Sequence, residues 1–90
     1  MEEYGIAAFR SRQQVMRLEE ALKRAGLTVR VISTPHDVAV GCGLSVRFDM
    51  KDVRAVQTAI SQLRPTNLIG LYRVEQRAGR NRLTTITKQG

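Results

Sequence analysis

The feature that most limits the fold of this chain is a pair of amphipathic helical stripes, each placed between two short apolar runs. Runs 4–9 and 27–32 flank the first stripe, and runs 44–48 and 67–74 flank the second. The order is therefore βαββαβ. This order is typical of a ferredoxin-like α+β sandwich, in which right-handed crossovers place two helices on one face of a four-stranded antiparallel sheet. The alternative is another small α+β sandwich with one open face.

Both predicted helices have recognisable ends. Ser11 is a good N-cap for a helix over residues 12–25, and Gly26 stands where C-terminal glycines are common. The second helix is predicted to begin at Asp49 and to stop before Pro65, because the residue preceding a proline avoids helical angles. The apolar stripes are Val15, Leu18 and Leu22 in the first helix and Val53, Val56, Ile60 and Leu63 in the second.

Alternation along the predicted strands separates an inward from an outward face of the sheet. The inward positions are Leu27, Val29, Val31, Leu44, Val46 and Phe48. The outward positions are Thr28, Arg30, Ser45 and Arg47. We therefore predict an open sheet face of basic and polar character.

Composition and charge divide the chain unevenly. We predict one domain over residues 1–75 and a basic polar tail over residues 76–90, in which residues 83–87 are compatible with a short strand. Of the net charge of +7, the tail supplies four positive charges and no acid. This balance suits contact with nucleic acid or an acidic partner, although a solvated terminus is the simpler interpretation.

The sequence predicts a cytoplasmic protein. No apolar run approaches the ~18 residues of a membrane helix, and the acidic start lacks the basic residues of a signal peptide. The chain has one cysteine, so it has no internal disulfide, which fits a reducing compartment.

Residues with chemical potential are concentrated between the second and third predicted strands. The segment begins at Pro35 and contains the only histidine, His36, and the only cysteine, Cys42, between Gly41 and Gly43. The predicted connection from Ser33 to Gly41, about nine residues long, exceeds the usual two to five of a hairpin loop, and such long loops are often functional.

The predicted topology places this segment beside the first helix, because the third strand begins where the first strand ends. Cys42 is therefore expected near the positive end of that helix, where a thiolate is favoured. The glycines would give a reagent access to the sulfur. Residues expected at the same end are Arg10, Ser11, Arg12, Thr66 and Asn67.

Simpler interpretations of the same residues remain open. Cys42 could be a small buried hydrophobe, with the glycines marking a bulge. His36 could act as a base, although a loop histidine is more often simply solvated. Cys42, His36 and Asp37 do not complete a structural zinc site, so we predict no metal and no cofactor.

At Cys42 the chain resembles the small bacterial family of selenium/sulfur carrier-like proteins. The similarity runs from about Tyr4 to Val74. The most specific match is the run Gly41, Cys42, Gly43 and Leu44; the others are Phe9, Arg10, Ser11, Met16, Glu19, Gly26 and Pro35. His36 departs from the family pattern, in which an arginine-like residue is expected after the proline.

The resemblance implies a carrier rather than a turnover enzyme. Cys42 would accept sulfur or selenium as a persulfide or selenopersulfide and pass it on. The partners would be a donor, such as a cysteine desulfurase or selenocysteine lyase, and an acceptor enzyme.

The second hypothesis is a non-catalytic module that binds RNA, an anion or a protein, including a second copy of itself, through the open basic face and the tail. RNA-recognition sheets stack bases on aromatic residues of their central strands. Aromatic residues make up only 4% of this chain, so the specific part of that pattern is missing.

Overall fold

The computed structural model of the chain describes residues 2–35 and 43–88. Its elements are β1 (Glu2–Phe9), α1 (Arg12–Arg24), β2 (Arg30–Ser33), β3 (Leu44–Phe48), a short 3-10 helix (Met50–Asp52), α2 (Val53–Leu63), β4 (Leu68–Arg77) and β5 (Arg80–Lys88). The predicted strand and helix order is therefore found up to β4, and β5 is added to it.

The strands form one antiparallel sheet in the order β2-β3-β1-β4-β5. The predicted number of four strands was wrong, because β5 pairs with β4 along most of its length. The two strands are joined by Ala78 and Gly79, whose φ angles of 46° and 78° are both positive, as in the tight turns that suit twisted hairpins. β4 also crosses the domain boundary that was predicted at residue 75.

The main core lies between the sheet and the two helices. Side chains of both helices join sheet residues in one buried cluster, so both helices cover the same face. Its fully or nearly fully buried members are Ala7, Phe9, Val15, Leu18, Leu22, Val29, Val46, Phe48, Val56, Ile60, Leu68 and Leu71. Leu63, predicted in the apolar stripe, is instead 41% exposed because α2 ends there.

Gly5 is the point at which this core comes closest to the backbone of β1. Gly5 pairs with Phe48 of β3. The phenyl ring of Phe48 lies directly over Gly5, so that a Cβ atom at this position would overlap the ring. A glycine is needed here for close approach rather than for its backbone freedom.

The opposite face of the sheet is less open than predicted. The strand register does place Arg30, Ser45 and Arg47 on this face, but Ser45 is fully buried. A second apolar cluster also lies here, formed by Tyr4, Ile6 and Val74 with the partly buried Ile32, Tyr72 and Leu83. The prediction of a basic and polar face was therefore incomplete, since it considered only two of the strands.

Arg47 is the basic residue most firmly held on that second face. Its guanidinium lies 3.8 Å from the ring centroid of Tyr4 and forms an ion pair with Glu2. This cation–π contact and the ion pair satisfy much of its charge. Arg47 is therefore poorly placed to hold a phosphate.

The ends of α1 follow the prediction, and the start of α2 does not. The Gln14 N–H donates to the Ser11 Oγ at 3.4 Å, and Gly26 has a φ of 86° just beyond the helix. Asp49 provides no side-chain cap for α2; the chain first forms the 3-10 turn, in which the Asp52 N–H donates to the Asp49 carbonyl. α2 then ends before Pro65, as predicted.

In the part of the chain that the structure describes, neither helix is long and apolar enough to cross a membrane.

Candidate functional site

The structure places some of the predicted site residues and leaves others outside. His36, Gly41 and Cys42 lie outside the described residues. Those described are Arg10, Ser11, Arg12, Pro35 and Gly43.

The described part of the site is built where β1 ends and β3 begins. Phe9, the last residue of β1, pairs with Leu44, the first residue of β3. Gly43 therefore lies beside the β1 end: a Cβ atom on it would be 3.5 Å from the Phe9 carbonyl oxygen. Ser11 caps α1 only two residues after Phe9. The start of β3 and the start of α1 thus lie at the same end of the sheet, as the topology predicted.

Gly43 is also packed closely against β2. The Thr34 N–H donates to the Gly43 carbonyl at 3.0 Å, which joins the two ends of the loop. A Cβ atom at Gly43 would lie only 3.1 Å from the Thr34 Oγ1. The access role predicted for Gly43 stays a prediction, and the structure adds a packing role beside it.

Two hydroxyl groups form a buried hydrogen bond next to this junction. The Thr34 Oγ1 and the Ser45 Oγ are 2.7 Å apart, and the residues are 5% and 0% exposed. Sequence reasoning missed Thr34 and placed Ser45 on the solvent side. The available signal was a pair of hydroxyl residues at the loop ends of two neighbouring strands.

We expect Thr34→Val to destabilise the protein by about 1–3 kcal/mol, because valine keeps the volume but leaves the Ser45 hydroxyl buried without a partner. The double variant Thr34→Val/Ser45→Ala removes both polar groups and should recover most of the loss. Urea unfolding followed by circular dichroism measures both. If the free energy of unfolding of the double variant falls by the sum of the losses for Thr34→Val and Ser45→Ala alone, the two hydroxyl groups do not stabilise each other.

Gln14 connects the start of α1 to the start of β4. Its Nε2 donates to the Thr66 Oγ1 at 3.1 Å, and its Oε1 accepts from the Asn67 N–H at 2.9 Å. The Arg10 N–H donates to the Asn67 carbonyl at 2.9 Å. Thr66 and Asn67 are therefore at this end, as predicted. Sequence reasoning missed Gln14, although Ser11 followed three residues later by glutamine is the pattern of a capping box.

The electrostatic character of this end is positive. Arg10 and Arg12 are exposed, and no ion pair within residues 2–35 and 43–88 involves either of them. The start of α1 adds the partial positive charge of unpaired N–H groups. An anion held here would be stabilised by both contributions.

Residues 2–35 and 43–88 contain no group of three histidine, cysteine, aspartate or glutamate side chains placed to hold a metal ion.

The fold and this junction together define a small α+β protein in which the end of β1, the start of β3 and the start of α1 meet at one end of the sheet. The chain belongs to the family described as "Putative Se/S carrier protein-like", whose model matches residues 4–68 of the 90. The match extends from β1 to the first residue of β4 and includes the segment that contains Cys42. Neither a curated protein nor a solved structure matches the chain.

Proposed function

We propose that this protein carries sulfur or selenium as a persulfide or selenopersulfide on Cys42. The observation that carries the proposal is the position of Gly43, the residue that follows Cys42. Gly43 lies at the junction of the β1 end and the α1 start, where Arg10 and Arg12 have no ion-pair partner among the described residues. The family description supplies the chemical class of the cargo.

Loading is a thiol exchange that needs no external oxidant. The Cys42 thiolate attacks the outer sulfur of a persulfide on the donor protein, and a new sulfur–sulfur bond forms. The sulfur–sulfur bond of the donor breaks, and the donor leaves as a thiolate. Transfer to the acceptor repeats the exchange with Cys42 as the leaving thiolate. A selenium atom would follow the same route.

The neighbouring residues would favour the anionic forms of the sulfur. Arg10, Arg12 and the Ser11-capped helix start supply positive charge, which stabilises a thiolate and a persulfide anion. Gly41 and Gly43 would leave the sulfur accessible to a partner. Pro35, which is half-buried, would direct the chain into the segment that contains Cys42. His36 would lie in the same segment without an essential role as a base.

The donor would be a desulfurase or a lyase, and the acceptor an enzyme that incorporates the atom. The relay would operate in the cytoplasm, where thiols are kept reduced. The first four strands would form a ferredoxin-like sheet, which the order β2-β3-β1-β4 supports, with β5 as an addition.

The first test is the rate of Cys42 alkylation by iodoacetamide, followed by intact mass. At about pH 7, we expect the native thiol to react faster than the same thiol in urea, because the native site favours the thiolate. The double variant Arg10→Gln/Arg12→Gln should react more slowly. Lys51→Gln/Arg54→Gln is the matched control, since it also removes two exposed positive charges, at the other end of the sheet. A thiol that reacts only in urea would be a core residue and would overturn the proposal.

A second candidate function is supported by the β4–β5 hairpin. Cross-strand pairs of Arg77 with Arg80 and of Glu75 with Arg82 place three arginines on one face of the hairpin. This surface would bind a polyanion such as RNA or an acidic protein without using Cys42. The hairpin lies at the far end of β4 from the junction that carries the predicted site. Gly70, near the start of β4, pairs with Ala8 next to the end of β1.

A further inference from the structure

A pocket of about 230 Å³ lies where the first turns of α1 meet the end of α2. Phe9, Leu18 and Ile60, three of its lining residues, are buried members of the main core. Leu63 and Pro65 line it as well, at the end of α2. The floor of the pocket is therefore apolar, while polar and charged residues make up the rest of its lining, and its size suits a single side chain.

Leu63 is unusual among the apolar residues of the chain. It is 41% exposed and, with Met16, is one of two exposed large hydrophobic residues in the described parts. Burying such a side chain in a complex is favourable by roughly 25 cal/mol for each Å² of apolar surface. The side chain of Leu63 thus offers exposed apolar surface to a partner at the edge of the pocket.

The charged residues that line the pocket are all cations. Arg17 and Arg64 are exposed, and no aspartate or glutamate lines the pocket. Neither arginine takes part in an ion pair within residues 2–35 and 43–88. The polar residues Gln14 and Thr66 are instead hydrogen-bonded to each other at 3.1 Å. The pocket therefore offers two positive charges without an ion-pair partner, next to an apolar floor.

The pocket is close to the junction that carries the predicted site. Phe9 lines the pocket and pairs with Leu44, the second residue after Cys42. Gln14 lines it too and binds the backbone of Asn67, which in turn binds that of Arg10. A protein docked in the pocket would cover the start of α1 and have its own groups near Gly43 and Leu44 at the start of β3.

We infer that this pocket is the docking site for the protein that delivers sulfur to Cys42, and that it takes one apolar side chain flanked by carboxylates. The inference rests on the proposed function for the identity of the partner. An apolar anchor in a pocket with charged groups around it is the usual arrangement of a binding hot spot. Complementary charge would also speed the encounter of the two proteins.

The docking preference can be measured without a sulfur donor. The probe is a synthetic peptide with one central leucine between aspartate and glutamate residues, titrated into the nitrogen-15-labelled protein. We expect localised amide shifts at Gln14, Leu63 and Arg64, with a Kd on the order of 0.1–1 mM. A peptide with serine in place of the leucine, and one with lysines in place of the acids, should each bind at least about tenfold more weakly. Shifts that are absent or spread evenly, or equal binding of the serine peptide, would overturn the inference.

Variants connect the pocket to sulfur delivery. Leu63→Ser and Arg17→Glu/Arg64→Glu should each raise the half-saturating concentration for loading by a persulfidated cysteine desulfurase at least about tenfold. The maximal rate and the alkylation of Cys42 should stay unchanged. Lys51→Glu/Arg54→Glu, which makes the same change of charge with two exposed residues at the start of α2 and the 3-10 turn before it, is the control.

The outcomes separate the two proposals. If the unaltered protein accepts no sulfur, the proposed function fails, and the peptide titration still decides whether the pocket binds acidic apolar segments. If the unaltered protein is loaded and the pocket variants show unchanged half-saturation, the docking inference fails and the carrier proposal stands.

Discussion

We expect Cys42→Ser to accept no sulfur from a persulfidated donor. Cys42 is the only thiol of the chain, so its replacement removes the only group able to form a persulfide. A serine hydroxyl has similar volume but neither attacks the outer sulfur of a persulfide nor holds the product. The measurement is uptake of radioactive sulfur together with the intact mass, which should show one added sulfur atom in the unaltered protein and none in the variant.

The variant must remain folded for this result to be informative. Thermal unfolding should therefore be compared with that of the unaltered protein, and we expect close agreement because serine adds no volume. Labelled sulfur that is retained by the folded serine variant would contradict the carrier role. RNA binding that survives in the same variant, and weakens steeply with salt, would favour the hairpin function instead.

The largest effect on stability is expected for Gly5→Ala. The added methyl group would occupy the space of the Phe48 ring, which is 2% exposed and packed in the main core. The ring or the β1 backbone must shift. We expect the free energy of unfolding to fall by about 2–4 kcal/mol, a value between the typical cost of an overpacked core and that of removing a buried phenyl ring. Such a loss should lower the Tm by roughly 10–25 °C in a domain of this size.

Two further variants test the cause of this loss. Gly26→Ala is the control, because Gly26 has open space around its Cα and a φ of 86°, so that only the backbone penalty of about 1 kcal/mol is expected. Gly5→Ala/Phe48→Leu should be less destabilised than the sum of its single changes, since the smaller side chain relieves the overlap. Strict additivity, or a Gly5→Ala variant as stable as Gly26→Ala, would refute the steric explanation.

Local patterns were sufficient for most of the fold. The Ser11 cap, the glycine after α1 and Pro65 each act within a few residues, so they could be recognised in the sequence alone. β5 was predicted only in part, as a short strand compatible with residues 83–87, because its arginines and threonines do not alternate with apolar residues and its turn lacks the Asn-Gly or Asp-Gly pair that usually marks a hairpin. The second apolar cluster was missed since it joins residues of several strands.

The junction beside the predicted site could be foreseen from the topology, whereas its side-chain contacts could not. Topology alone brings the start of β3 to the start of α1, and the pairing of Phe9 with Leu44 confirms it. The hydroxyl pair and the role of Gln14 depend on strand register and on distances across the chain, which no local pattern gives. The reactivity of Cys42 stays a prediction.

The bond between Thr34 and Gly43 has a consequence for how this chain can change. It joins the two residues that flank the segment 35–42. Because doubling the length of a closed loop costs only about 0.6 kcal/mol, substitutions and insertions inside the segment should leave the sheet nearly as stable as before. We therefore expect that a different reactive sequence can be grafted into this segment while the sheet and the helices keep their arrangement.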